Sequence, residues 1–418
     1  MAMTDSGNIL AVGGDELDRL TDLPINVIHQ IQDHMSIEDA ARMSVLSRTC
    51  RYIWASNPKL VFDTKFCTKR TSSNTIDMIN TILLQHHGAI KIFLLDIPSI
   101  HSSQHSVVDR WMLFLSRNGL VDLVIKNRNN VDAPYKLPSY VYSMALECLS
   151  LLNCIFKPPC RFQGFHKLKW LDLRRVTFEL DAATSSLWMP NLEKLGFIFC
   201  SGVHFLNIYA PKLHILCLYG CGADTLNRQD KAMKLTDLII SSSPNLSSLT
   251  LGRYFLKFFA SGTKAESLPT RLTRLRCLFI WDYDFDSDDQ LFALLSILRS
   301  SPNLKTLHFR TLLQWKEGDM EVDVNNFQGL DYGSQRLNNF QTLQINKFRG
   351  SRAELLFVRF ILASAPLLRK AILLVDTSLN ESQSLKISQE LMRFPRASPK
   401  SEIIFEPWSI ERARLSVA

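Results

Sequence analysis

The chain has 418 residues, 46% hydrophobic and 21% charged; these proportions are ordinary for a globular protein and exclude a collagen-like or wholly disordered chain. Its 48 basic and 40 acidic side chains give a net charge of +8, yet residues 16–60 hold five of the former and six of the latter, so the excess is spread over the remainder and forms no stripe for nucleic acid. No uncharged apolar run approaches 18 residues, no basic segment followed by an apolar one opens the chain, and the nine cysteines are odd in number without a C-x-x-C pair, which together predict no membrane span, no signal peptide and a reducing, intracellular setting in nucleus or cytoplasm.

Residues 1–15 read as a disordered tail, and residues 16–60 as three short helices. Pro24 stands where a first helix should begin, which suits its fixed φ. Val27, Ile28, Ile31 and Met35 come after it as an amphipathic stripe. Ser36 with Asp39 forms a plausible capping box for a second helix carrying Ala40, Met43 and Leu46. Ser47 can cap a third, with Tyr52 and Trp54. So short a module with so few large apolar side chains is marginal alone. It is expected to be completed by a partner or by packing on the rest of the chain.

A different period governs the chain beyond residue 60. The pattern Leu-x-x-Leu-x-apolar has clear copies starting at Leu146, Leu168, Leu192, Leu213, Leu246, Leu275 and Leu304, and degenerate ones at Ile90, Leu120, Phe340 and Leu368. Their spacing lies close to the range of about 20–29 residues typical of leucine-rich repeats. Proline precedes the first leucine by two places in five copies: Pro190, Pro211, Pro244, Pro302 and Pro366. Proline cannot continue a helix and lacks a strand's N–H, so it is expected to stop a convex-side helix and start the turn into the next strand. Segments 231–243, 287–301 and 352–365 carry apolar residues at helical spacing, while Leu171 and Leu173 alternate with Trp170, Asp172 and Arg174 as a strand should. Neither element can bury its apolar side alone, but stacked copies can, which predicts an α/β solenoid with parallel strands on its concave face. Cys154, Cys200 and Cys221 lie eight residues after their repeat starts, the inward Asn/Cys position of this pattern.

The head of the chain resembles an F-box. The marks are Leu20, Leu23 and Pro24, then Ile28 and Ile31, then Asp39-Ala40-Ala41, Ser44-Val45-Leu46-Ser47-Arg48, Arg51, Tyr52 and Trp54. It departs from the family at Cys50, where tryptophan is common, and at Met35-Ser36, where Leu-Pro is common. Residues 337–375 resemble the FBD region that closes F-box/leucine-rich-repeat chains, through Lys347, Phe348, Arg349, Gly350, Glu354, Phe360, Leu362, Ala365 and Pro366. The chain is thus identified as similar to the plant F-box/FBD/leucine-rich-repeat family, divided as tail 1–15, F-box 16–60, solenoid 61–336 and FBD-type region 337–418. That resemblance implies a non-catalytic substrate receptor of an SCF-type ubiquitin ligase. The F-box would dock on a Skp-type adaptor, which bridges to cullin and RING subunits, and the repeats would hold an unidentified protein target. The residues expected on the adaptor surface are Leu20, Leu23, Pro24, Val27, Ile28, Ile31, Val45, Leu46, Arg51 and Trp54. Two alternatives stay open: an interaction scaffold whose F-box is degenerate at Cys50, and a receptor that senses a small molecule.

Strand alternation places residues two, four and six after each repeat start in the hollow. The expected target-binding set is Trp170, Asp172, Arg174, Tyr219, Phe279, Trp281, His308 and Arg310, rich in the types that dominate binding energies. Chemistry is hard to find elsewhere. Asp282, Asp284 and Asp286 take positions 1, 3 and 5 of a calcium loop, but Ser287 and Ala293 occupy the places that require Gly and Glu. The stretch reads instead as a capped helix start. His86, His87, His101 and His105 read as surface residues. No cofactor, metal, nucleic acid or membrane is expected.

Overall fold

The computed structural model describes residues 23–69, 71–98, 100–128, 134–179, 186–203, 206–221, 244–256, 272–285, 287–310 and 337–409. The tail 1–15, Leu20, the helical segment expected at 231–243 and Asp286 lie outside the described residues.

Two residues after every one of the repeat starts, the chain enters a β-strand. In chain order the strands are β1 (Lys59–Phe62), β2 (Ile92–Ile97), β3 (Asp122–Asn127), β4 (Tyr135–Lys136), β5 (Cys148–Leu152), β6 (Cys154–Phe156), β7 (Trp170–Arg174), β8 (Thr177–Phe178) and β9 (Ser186–Trp188). They continue as β10 (Lys194–Ile198), β11 (Asn207–Tyr209), β12 (Ile215–Tyr219), β13 (Ser248–Gly252), β14 (Cys277–Trp281), β15 (Thr306–Arg310), β16 (Thr342–Phe348), β17 (Lys370–Val375) and β18 (Glu402–Pro407). Thirteen of them form one sheet in the order β1-β2-β3-β5-β7-β10-β12-β13-β14-β15-β16-β17-β18, and every pairing in it is parallel. The inward leucines stack in register, with Leu149 opposite Leu171 and Leu278 opposite Leu307. Each is shut off from solvent, and one continuous apolar core runs from Ile37 to Leu391.

The length of each return path decides what fills the outer layer. Where successive starts lie 28–30 residues apart there is room for a 13-residue helix: His105–Arg117, Asp288–Ser300 and Arg352–Ser364. At about 1.5 Å per residue such a helix spans roughly 20 Å. Between residues 135 and 209 the starts lie only 21–26 apart, and short outer strands take its place, β4-β6-β8 in one small sheet and β9-β11 in another. Pro190 and Pro211 therefore end the outer strands β9 and β11, not the convex-side helices expected there. Pro302 and Pro366 do follow helices.

A backbone device recurs at the far end of the strands. The residue seven places after the repeat start has positive φ at Asn153, Arg175, Phe199, Gly220, Asp282 and Lys347. This left-handed conformation costs a non-glycine residue about 1–2 kcal/mol. It turns the next residue inward, and Cys154, Cys200 and Cys221 are accordingly buried. Their thiols knit neighbouring repeats together: Cys200 donates to Leu173 O at 3.2 Å, and its backbone N–H donates to Cys221 Sγ at 3.3 Å.

The head consists of α1 (Ile25–Asp33), α2 (Ile37–Met43) and α3 (Arg48–Ala55), and the chain continues through α4 (Thr64–Thr68), α5 (Ser72–Gln85) and α6 (His105–Arg117). Ser36 and Ser47 cap α2 and α3, accepting from the N–H groups of Asp39 (3.2 Å) and Cys50 (3.0 Å). Asp39 completes its side by accepting from the Ser36 hydroxyl at 2.7 Å. Ile28, Met43, Cys50 and Ile53 make a small core of their own. The head also leans on the array: Ile37 enters the large core, Trp54 packs against it, Lys69 pairs with Glu38 at 3.0 Å, and β1 extends the sheet.

At the other end the Lys347–Glu354 stretch closes a tight corner. Ser351 and Glu354 form a capping box for helix Arg352–Ser364. The Glu354 carboxylate accepts from Ser351 N at 2.9 Å and Arg349 N at 3.1 Å. Burial nevertheless pushes its pKa up to about 7 against those bonds. Gly350 has φ +69, and a Cβ there would meet Ile387 Cδ1 at 2.4 Å, so any other residue at the corner would be strained in its backbone and would have to displace Ile387. Phe348, Phe360, Leu362 and Ala365 are buried, which gives these sequence marks a packing role. Strands β16 to β18 are further rungs of the same sheet.

Candidate functional site

Two surfaces answer to the residues singled out by sequence. The first is the exposed side of the head. Backbone bonds from Val45 N to Arg42 O and from Leu46 N to Met43 O, both 3.1 Å, hold a tight turn between α2 and α3 that pushes both side chains outward. Val45 is 77% exposed, Leu46 69% and Tyr52 65%. Pro24 and Arg51 are exposed as well. Val27 and Ile31 line a shallow cleft of about 370 Å³ with Gln30 and His34. Fully burying a side chain of this size is worth about 1.5–3 kcal/mol, so leaving this face in water forgoes that stabilisation.

Three expected surface residues are placed otherwise. Ile28 is buried in the head's own core, because its turn of α1 points at Cys50 and Ile53. Leu23 packs on the same core, and Trp54 packs on the array. Tyr52 is not among the expected adaptor residues, although it sits in the motif. Cys50 lies inside the small core, so the departure from tryptophan alters packing there and not the outer face.

The second surface is the hollow of the sheet. Near β7 it is charged: Arg174 donates to Asp172 at 3.0 Å, and Lys194 lies 5.2 Å over the half-exposed Trp170 ring. Further along it is aromatic. Gly252 of β13 leaves a gap that the Tyr219 ring fills; a Cβ there would meet Tyr219 Cδ2 at 2.8 Å. Tyr219 thereby reaches across β13 to Trp281, with ring centroids 4.7 Å apart, and donates its hydroxyl to the buried Asp282 carboxylate. Phe199 closes the other side of Tyr219 at 4.9 Å, and Arg310 covers Trp281 at 5.4 Å. Phe279 stacks on His308 at 5.0 Å.

The structure thus brings Tyr219, Trp281 and Arg310 together, but it does not expose the whole expected set. Tyr219 is only 3% exposed and His308 8%. Burial holds the His308 pKa down at about 4, so its ring is neutral near pH 7. Burial and the bond to Asp282 raise the Tyr219 pKa. Phe199, 45% exposed, escaped the alternation rule because it sits in the left-handed position beyond the strand. Asp282 sits there too. The helix after it starts at Asp288 with Ser287 in the cap position and no side-chain cap bond; Gln290 instead accepts from Asp284 N at 3.2 Å. His86 is likewise buried, which lowers its pKa, rather than on the surface. Among the described residues no helix is long and apolar enough to cross a membrane.

A parallel sheet built of repeats, headed by a three-helix module with a bare apolar turn, defines a repeat-array protein of the α/β solenoid class. The chain belongs to the F-box/FBD/LRR-repeat family. The F-box domain family matches residues 20–62, the family described as At1g61320/AtMIF1, LRR domain, matches 82–255, and the FBD family matches 336–373. The chain is 30% identical to F-box/FBD/LRR-repeat protein At1g13570 of Arabidopsis thaliana, across 94% of this chain and 99% of that one. It is 24% identical to F-box/LRR-repeat protein 13 of the same plant, across 95% and 98%. F-box/FBD/LRR-repeat protein At3g14710, also from Arabidopsis thaliana, is 20% identical across 93% and 94%.

Proposed function

We propose that this chain is the substrate-recognition subunit of an SCF-type ubiquitin ligase. Its head docks on a Skp-type adaptor that bridges to cullin and RING subunits, and its sheet holds the protein to be ubiquitinated. The chain contributes binding and no catalysis, and it works inside the cell, in nucleus or cytoplasm. One observation carries this reading: in the F-box segment, Val45 and Leu46 stand largely in solvent on a hydrogen-bonded turn, beside Tyr52. Apolar side chains held in water on a hydrogen-bonded turn are arranged for a partner. Pro24, Val27, Ile31 and Arg51 extend the docking face, and Leu23 with Trp54 set its backing.

Phe199, Trp281 and Arg310, with Tyr219 behind them, form the proposed target-binding face. The test of the ligase assignment is co-purification. Val45→Asp with Leu46→Asp should abolish recovery of adaptor and cullin on the tagged chain while the thermal unfolding midpoint stays put. Undiminished recovery would sink the assignment.

A further inference from the structure

An inner rung of the sheet is covered on both sides, whereas the last rung is not. In β14 the core-facing side chains Leu278 and Ile280 are fully buried. Their counterparts in β18 are Ile403 and Phe405. Both pack on the core, Phe405 with its ring 6.5 Å from that of Phe348, yet both stay only half-buried. Among the described residues β18 pairs with β17 alone. An array of this kind needs its end rung capped.

The backbone of β18 says what such a cap must offer. Glu402 N donates to Arg369 O at 2.9 Å and Trp408 N to Val375 O at 3.0 Å, so the even-numbered residues direct their polar groups at β17. Directions alternate along a strand. The outer edge therefore presents the N–H and carbonyl groups of Ile403 and Phe405 and the carbonyl of Pro407. Side chains alternate as well: Ile403 and Phe405 face the core, while Glu402, Ile404 and Glu406 face the hollow.

The sequence directly after β18 has the complementary pattern. Residues 410–418 read Ile-Glu-Arg-Ala-Arg-Leu-Ser-Val-Ala. Ala413, Leu415 and Val417 alternate with Arg412, Arg414 and Ser416, the period of a strand with one apolar side and one polar. We infer that this segment folds back as an antiparallel strand on β18 and caps the array. Setting Ala413 opposite Phe405 and Leu415 opposite Ile403 leaves Trp408, Ser409 and Ile410 as a three-residue hairpin loop, a common length. Ala413 and Leu415 then exchange backbone bonds with Phe405 and Ile403 and lie over the open end of the core. On the other face Arg412 stands opposite Glu406, and Arg414 sits diagonally between Glu406 and Glu402; opposite charges so placed favour pairing. Glu411 falls opposite Pro407, which is exposed, and stays in water. A slip of one residue would turn both arginines onto the core side, so the pattern fixes the register.

The experiment compares hydrogen exchange in the full chain and in a chain stopped after Ser409. The amides of Ile403 and Phe405 point at the segment, and they should exchange at least tenfold more slowly in the full chain. Arg412→Glu with Arg414→Glu should abolish that protection. Adding Glu402→Arg with Glu406→Arg to the same chain should restore it, which a mere loss of folding would not allow. Equal exchange in the full and shortened chains overturns the inference, as does protection that the reversed charges fail to restore. Protection seen only where light scattering reports a particle of twice the mass would mean that a second copy covers the edge, and this overturns it as well.

Discussion

The head and the array solve the problem of a small core in opposite ways. Among the described residues the head gathers a small core of its own from Ile28, Met43, Cys50 and Ile53, and leaves Val45, Leu46 and Tyr52 in water. The array passes one core through thirteen strands, so each rung is buried by its neighbours. A module that cannot enclose itself has surface to offer. A solenoid that encloses itself offers instead a face whose chemistry changes from rung to rung, charged near Asp172 and Arg174 and aromatic near Trp281.

If that contrast is right, damage should spread differently in the two regions. The largest effect is expected in the array. Leu278→Ala removes a fully buried side chain from the middle of the sheet and should cost about 3 kcal/mol, lowering the unfolding midpoint of the whole array by circular dichroism. A second, array-specific handle is pH. His308 has a folded pKa of about 4, against 6.5 for an unperturbed histidine. The unfolded chain therefore binds the proton first, and stability present above about pH 6.5 is lost as pH falls towards 4. The loss should be on the order of 3 kcal/mol, and His308→Gln should flatten that limb of a pH series of chemical denaturation curves.

In the head, Ile53→Ala should cost about 2 kcal/mol, and the cost should stay local. Hydrogen exchange should quicken in residues 25–55 and remain unchanged in β13 to β16. If instead the array amides quicken together with the head, the two regions form one cooperative unit and the contrast fails. The smallest effect tests the aromatic rungs. Gly252→Ala places a methyl group against the Tyr219 ring and should cost about 1 kcal/mol. It should also lift the Tyr219 ring off Trp281, read as a change in tryptophan fluorescence. An unchanged spectrum would mean that the gap at Gly252 does not position the pair.

Most of the architecture is legible in the sequence. Each repeat start yields a strand two residues on, because an inward leucine at fixed spacing is the signal of burial itself. The strands at the two ends, β1 and β18, escape the pattern. Asn57 and Lys400 stand where their first leucine would be, since an end rung has a neighbour on one side only and needs less apolar surface. The outer strands β4, β6, β8, β9 and β11 are two or three residues long, too short to show a period. For the site, alternation gives the direction of a side chain but not its exposure. Tyr219 is covered because position 252 is glycine, a fact about another strand.

A repeat array is also a template for its own continuation. Whatever binds at its last rung could be copied there again by a strand from another molecule, and chains would then polymerise edge to edge. β18 reads Glu-Ile-Ile-Phe-Glu-Pro. Its proline supplies no N–H for pairing, and its two glutamates would face their own copies in any chain added in the same register. Among the described residues, the rung that ends the sheet thus discourages an added copy of itself.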